Sequence, residues 1–432
     1  MSPDNFNLPE AYVTDGVFAP ERQAFKSLII PADELMTGLG VTMLTKYAEA
    51  GLPIIFYGGL PTNFEGYDQN GYTTANATIS RLASLTNVHV TAPGVGVASA
   101  LASIHITPRT TVSANSTWYT YWREGKTVDY VYIYNENLSG VLGGGYSTGN
   151  VTFESVGVPY FYDAWTGDIT PVLAYSYTST TTTIQLELAG DQTTIIAFEN
   201  SPRLLHVESL PAKTLGIRTS SSTISILRGY IDQPTSITIS NGSSITLEPM
   251  LASPFILEDW SLTVESWTTP TDIYDMNPDA LRSNLSAFTG IQKLVPWTSI
   301  SSSLTDISGR GYYSTGFNWP PAATSHTTVY GAYIDLGAIV HTVRVAINGH
   351  SLPPLDVTWA RADISKYLVS GLNRVEVVVS TPLGNALDPI WDSLETTGRT
   401  AVSENTNPPS IAEYGLVFDV KIEPYREDSF FI

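Results

Sequence analysis

The chain has 432 residues and no cysteine, with 21 Lys and Arg against 41 Asp and Glu, a formal charge of −20. That length allows roughly two to four domains. The missing cysteines exclude disulfides, zinc–thiolate sites and cysteine nucleophiles, and the acidic balance sets the surface against a phosphate backbone, so no nucleic-acid partner is expected.

Charged residues make up only 14% of the chain, while Ser, Thr, Tyr and Trp are plentiful. Such a composition suits β-structure. The α/β pattern is confined to residues 22–110. Phe25 to Ile30 reads as a short strand ended by Pro31. Leu35 to Ala50 has helical spacing and stops at Gly51. Ile54 to Tyr57 is a second apolar strand, closed by Gly58-Gly59, and Ala75 to Leu85 a second helix. Val88 to Val90 and Val97 to Ser103 complete the alternation with a strand and a helix. Strand–helix–strand order at this spacing implies a small parallel sheet. The Gly58-Gly59 pair lacks G-x-G-x-x-G spacing and reads as a strand-end turn.

Residues 111–200 change to period-two strands and are expected to form a β-sandwich, in which Ser176 to Thr183 is a hairpin arm. Further β segments fill 201–245, and Pro249 and Pro254 mark a border. The expected domains are therefore 1–110, 111–250 and 251–432. The last contains Val343, Val345 and Ile347 before an Asn348-Gly349 turn, then Asp363-Ile364, a Gly371-Leu372-Asn373 turn and a closing strand from Val375 to Val379. Alternation with such turns means antiparallel strands.

These segments carry a resemblance. The phrases FKSLIIP, LTKYAEAGLPIIFYGGLP, NVHV and ALASIHITPRT, then FYDAWTGDITPVLAYSY and TIQLELAGDQTTIIAF, resemble in order the region after the catalytic barrel of family 106 glycoside hydrolases, the α-L-rhamnosidases. Residues 331–387 resemble their galactose-binding-like jelly roll. The implied fold is mainly β and multi-domain: a small Rossmann-like α/β domain, a β-sandwich and a C-terminal galactose-binding-like jelly roll. A (β/α)₈ barrel needs roughly 250 residues, and no residue here aligns with the glutamates that those enzymes carry on theirs. Glycoside hydrolysis needs two carboxylates held about 5–10 Å apart. Nothing in the sequence pairs Glu65, Asp68, Asp163, Asp168, Asp388 or Asp392. The six histidines are dispersed, without the spacing of a metal site, and no G-x-S-x-G elbow is present. No metal site or organic cofactor is expected, although the jelly-roll resemblance admits a calcium ion whose ligands the sequence does not identify.

Aromatic clusters remain. On a strand, Tyr119 and Tyr121 share one face, with Trp118 and Trp122 on the other. Tyr160, Phe161, Tyr162 and Trp165 form a second group, and Tyr312, Tyr313, Phe317 and Trp319 a third, beside Arg310. Such rings fill sandwich cores, or they wall a cleft between the sandwich and the jelly roll. For a cleft, the expected catalytic donors are Arg310, Tyr312 and Tyr313. The expected substrate-binding residues are Trp118, Tyr119, Tyr121, Trp122, Tyr160, Tyr162, Trp297, Phe317, Trp319 and Trp391.

Chains of this kind and size also resemble the hetero-Diels–Alderases of fungal tropolone–sesquiterpene pathways. That resemblance implies a cofactor-independent pericyclic step joining a tropolone quinone methide to a humulene-type alkene, both apolar small molecules. Positioning and a donor aimed at the developing oxyanion would suffice. The alternative is a carbohydrate-binding or non-catalytic rhamnosidase-related protein, and a hydrolase with an undetected carboxylate pair is a third reading. Six N-x-Ser/Thr sequons, at Asn76, Asn115, Asn137, Asn150, Asn241 and Asn284, favour N-glycans and a secretory or extracellular location. The opening MSPDNFNLPEAY reads either as a native start or as one left by signal removal, and no apolar run of about 18 residues is present.

Overall fold

The computed structural model describes residues 8–65, 69–203, 205–220, 223–268, 282–321, 329–396 and 410–431, with Asp272, Asp275 and Asn277 between them. The chain is mainly β and divides into two compact units, Met1–Arg109 and Thr110–Ile432.

In the first unit, strands Leu28–Pro31, Ile54–Tyr57 and Val88–Val90 lie parallel in that order. They alternate with helices α1 (Gly38–Glu49), α2 (Gln69–Leu82) and α3 (Val97–Ser103). Ile54, Ile55 and Phe56 are all buried, as befits a parallel strand covered on both faces. Helix α1 begins later than its hydrophobic spacing suggests. The Thr37 hydroxyl accepts the Gly40 N–H at 3.0 Å, an N-cap that fixes the first turn at Gly38. Leu35–Met36 is instead extended and pairs with Asn63–Phe64. Gly58 and Gly59 have φ of 78° and 133°, so this turn needs glycine.

The second unit opens with a sandwich. One sheet runs Ile169–Pro171, Val158–Tyr162, Thr193–Glu199, Val128–Asn135, Trp118–Arg123, and the other Ser176–Tyr177, Thr182–Ala189, Tyr146–Phe153, Thr110–Ala114. Alternate residues of both meet in a core that includes Trp118, Val131, Ile133, Phe153, Ile184 and Phe198. The jelly roll has two six-stranded sheets. The first orders Arg282–Ile291, Trp260–Thr268, Gly309–Trp319, Gly371–Ser380, Thr342–Ile347 and His350–Ser351. The second orders Thr214–Thr219, Thr223–Arg228, Lys421–Phe431, Gly331–Asp335 and Arg361–Asp363, with Phe255–Ile256 also on the Lys421–Phe431 strand. Hydrogen bonding therefore crosses the border placed at 250/251, because residues 214–228 belong to the jelly-roll sheet. The expected Gly371-Leu372-Asn373 turn is the start of a strand, held by buried Asn373, whose Nδ2 donates to the carbonyls of Val369 and Gly371.

Two polar contacts sit deep in this unit. Arg228 is fully buried and its Nε donates to Asp428 at 2.7 Å; Nη2 lies 2.6 Å from the same carboxylate but off the hydrogen-bonding line. Removing one partner of a buried pair costs about 3–5 kcal/mol, while replacing both by apolar groups is often neutral. We therefore expect Asp428→Asn to lower stability by roughly that amount and the double change Arg228→Met with Asp428→Leu to recover most of it. Equal losses in both variants would rule this pairing out as the origin. All nine tryptophans lie in residues 110–432, so guanidinium titration followed by tryptophan emission reports this unit alone.

The second contact is Tyr313, 2% exposed, whose hydroxyl accepts from Trp297 Nε1 at 2.8 Å and Leu416 N–H at 3.2 Å. Tyr313→Phe strands both donors in the core and should cost about 1–3 kcal/mol. Burial pushes this hydroxyl up to about 12 from its ordinary 10.0. The unfolded phenol ionises first, so the stabilisation is intact below pH 10 and is lost as pH rises toward 12. Tyr313→Phe should lose less stability across that alkaline window than the wild type, and parallel curves would contradict the assignment.

Candidate functional site

Strand periodicity sorts the expected site residues. Along Gly309–Trp319 the odd residues point inward and the even ones outward, so Tyr312 and Tyr313 cannot serve one site. Tyr313, Trp297 and Phe317 are core residues, and Trp319 packs on the edge of that core. Burial leaves these three rings no face for a substrate, which corrects their expected roles. Arg310 and Tyr312 are exposed. The Tyr312 hydroxyl donates to Glu265 at 2.7 Å, and the Arg310 guanidinium lies 5.5 Å from the Trp267 ring. Hydrogen bonds from Tyr312 and Trp267, with Arg310 nearby, hold the Glu265 carboxyl below its usual range. Trp391 is half-buried at the start of the short helix Trp391–Thr396.

In the sandwich, Trp118 is buried with its indole N–H on Ser116 and Ser147, and Trp122 packs against Phe153 and Phe198. These two are also core residues, which corrects their expected place in a binding face. The tyrosines go the other way. Tyr119 and Tyr121 stand opposite Tyr134 and Tyr132, and Tyr130 and Tyr160 flank Ala197. Tyr119, Tyr121, Tyr130, Tyr132, Tyr134, Tyr160 and Tyr162 therefore share the outer face of the five-stranded sheet. Several hydroxyls are tethered to carboxylates: Tyr119 to Glu136, Tyr134 to Asp191 and Tyr162 to Glu199.

A cleft lies between sandwich and jelly roll, as three adjoining cavities of about 620, 600 and 680 Å³. Gln185, Glu187, Trp359 and Arg361 line all three. The floor is the solvent face of the four-stranded sheet, where Thr148 stands opposite Glu187 and Asn150 opposite Gln185. One wall is Thr214–Thr219 and the other the segment that ends in Arg361–Asp363. Of the expected substrate-binding residues, Tyr162 lines this cleft; Arg310 and Tyr312 do not.

Trp359 and Arg361 give the cleft its character. The Trp359 ring centroid is 4.4 Å from that of Tyr146, tilted by 48°, and its N–H donates to Asp335 at 3.3 Å. The Arg361 guanidinium lies 4.3 Å from the Tyr333 ring and 5.4 Å from Trp359, within range for cation–π attraction. Its Nε and Nη2 hold Glu423 at 3.1 and 3.0 Å, and Nη1 reaches the Leu215 carbonyl at 3.4 Å. Gly216 makes room for Tyr333, since a Cβ there would stand 2.5 Å from the tyrosine hydroxyl. Farther along, Arg218 pairs with Asp363 and donates to Tyr425 at 2.9 Å. Burial, then Asp335, push the Tyr146 hydroxyl up to about 12 although Arg361 opposes them, so it is a neutral donor. Burial likewise raises Tyr333.

Chemically the cleft offers ring walls, a guanidinium and a phenol donor. Asp335, Asp363 and Glu423 are each occupied by a named donor. The Gln185 and Glu187 side chains have no hydrogen-bond partner among the described residues. Among those residues no group of three or more His, Asp or Glu could hold a metal ion, and no helix is long and apolar enough to cross a membrane. Asp68 and His326 lie outside the described residues. Part of the signal for the cleft was present in the sequence: Trp359 and Arg361 stand two residues apart at the entry to the strand Arg361–Asp363.

No protein-family model and no curated protein sequence matches the chain. Among solved structures it is similar to a rhamnosidase from Novosphingobium sp. PP1Y, with 16% identity and a TM-score of 0.58 over 97% of this chain and 35% of that one. A β-D-mannosidase from Dictyoglomus thermophilum follows at 11% identity and a TM-score of 0.24, over 40% of this chain and 23% of that one. An α-L-rhamnosidase from Dictyoglumus thermophilum gives 9% and 0.19, over 74% and 29%. Those last two scores carry no argument. The chain has a rhamnosidase-like fold and spans about a third of the length of the Novosphingobium enzyme.

The outer-face group gives a further expectation. Arg310→Ala and Tyr312→Phe disturb only an exposed cluster, and such contacts are worth about 0–1 kcal/mol. Both variants should show guanidinium midpoints close to the wild type. A large loss would mean that the cluster braces the sheet.

Proposed function

We propose that the cleft between sandwich and jelly roll is the active site of a cofactor-independent hetero-Diels–Alderase. In this reading it joins a tropolone o-quinone methide to a humulene-type alkene. The observation that carries the reading is the joining of three cavities at Trp359 and Arg361. Two reactants can enter from different sides and meet beside a flat ring and a fixed donor. Holding them in a near-attack geometry can supply several kcal/mol. The third guanidinium nitrogen, Nη1, has only the 3.4 Å Leu215 contact, so it is the donor placed to meet negative charge developing on the quinone-methide oxygen. No bond to the protein and no proton transfer is required.

The test is chiral LC–MS of adducts formed from a hydroxymethyl-tropolone precursor and a humulene-type alcohol. One enriched enantiomer, formed faster than with boiled protein, is expected. Trp359→Ala and Arg361→Met should each reduce the rate at least about tenfold, the scale of one lost transition-state contact, while Arg310→Ala and Tyr312→Phe retain it. Racemic product at background rate would reject the cyclase. Loss of rate in the Arg310 and Tyr312 variants alone would move the site to the jelly-roll face.

One observation favours a second reading. The tyrosine-covered face of the sandwich is open, with Tyr119, Tyr121 and Tyr132 all exposed, and rings with tethered hydroxyls suit stacking against the apolar faces of sugars. A glycan array that includes rhamnosides tests it. Binding abolished by Tyr121→Ala, with no cyclase activity, would support a carbohydrate-binding protein. The sequons keep N-glycans and a secretory or extracellular location as part of this proposal.

A further inference from the structure

The three cavities differ in what lines them. One end, toward Thr170–Ala174 and Thr214–Thr219, presents the partly exposed Phe161, Leu215 and Ile217. The other presents Lys213, Lys421, Arg361 and Tyr146 around the Trp359 ring, with Glu187, Asp335 and Glu423. That second end balances three cations against three carboxylates on a chain whose formal charge is −20. Arg361 is committed to Glu423, and Asp335 to the Trp359 N–H. Lys213 and Lys421 have no ion-pair partner among the described residues. The Tyr146 hydroxyl stays protonated and has no acceptor among them. Unused donors therefore converge at one end of the cleft, and unused apolar surface at the other.

We propose that the cleft is divided by polarity: the Lys213–Lys421–Tyr146 end receives a planar, acidic hydroxy-enone ring of the tropolone class as its anion, and the Phe161–Leu215–Ile217 end receives a hydrocarbon. The proposal deepens the cyclase reading and rests on it for the identity of the two ligands. A delocalised oxyanion takes hydrogen bonds in its plane from ammonium and phenol donors. A terpene has no polar group to satisfy and gains only from leaving water, so it partitions to the apolar end. The order also places the reacting atoms at the junction, since Trp359 and Arg361 line both ends.

Binding of each ligand alone tests the division without turnover. Tropolone and its uncharged methyl ether are titrated by calorimetry, and a humulene-type alcohol by equilibrium dialysis. The proteins are the wild type, the double variant Lys213→Met with Lys421→Met, and Ile217→Thr. Both lysines are exposed, and intact folding is checked by tryptophan emission. The double variant should lose about tenfold or more in tropolone affinity, as expected for charge-assisted donors, with little change for the methyl ether or the alcohol. Ile217→Thr should weaken the alcohol and leave tropolone unaffected. The division is overturned if the wild type does not bind tropolone, if the double variant binds it like wild type, or if either variant weakens both ligands equally. Tropolone binding through the lysines without adduct formation would reject the cyclase and leave the anion site standing. Adduct formation with lysine-independent tropolone binding would do the reverse.

Discussion

The final strand, Lys421–Phe431, is the constraint on which the second unit depends. It pairs with Thr223–Arg228 over its later half, with Gly331–Asp335 and Phe255–Ile256 over its earlier half, and so joins segments about two hundred residues apart. Buried Arg228 and Asp428 fix the register, because a one-residue slip would leave a guanidinium in the core without its carboxylate. The same strand sets Glu423 beside Arg361 and Lys421 beside Asp335. Core order and cleft order thus come from one set of strand pairings.

Much of the fold was legible because it rests on local rules. Val88–Val90, Val97–Ser103 and Ile54–Tyr57 fall where periodicity and glycine placed them. The Asn348-Gly349 turn has positive φ at both residues, 52° and 78°, the geometry that this dipeptide favours between antiparallel strands. Local rules failed where a cap or a distant partner decided. Thr37 moved the start of α1, and residues 214–228 joined a sheet whose other strands come from the far end of the chain. No periodicity encodes either event.

The site was legible only in part, and the reason is geometric. Grouping aromatics by nearness in sequence ignores that neighbours on a strand face opposite ways. Applied to Trp118–Arg123, the alternation separates core tryptophans from surface tyrosines. Applied to Gly309–Trp319, it divides Tyr312 from Tyr313. The cleft draws its residues from positions 146, 187, 215, 333, 361 and 423. These come from separate strands that meet only after both halves of the unit have folded. Trp359 and Arg361 are two residues apart in the sequence and were the visible part of that set.

Arg361 bears on how such a cleft would act. Its charge is shared with Glu423, and its flat faces lie near Tyr333 and Trp359. A guanidinium held this way is a directed donor more than a free cation, because the adjacent carboxylate cancels much of its field at a distance. Its rotamer is fixed before any ligand arrives, so little ordering remains to be done on binding. Rate enhancement in the cleft would then come chiefly from the positions of the reactants, with a smaller electrostatic part at short range. That balance suits a pericyclic step, in which charge develops modestly and no proton changes hands.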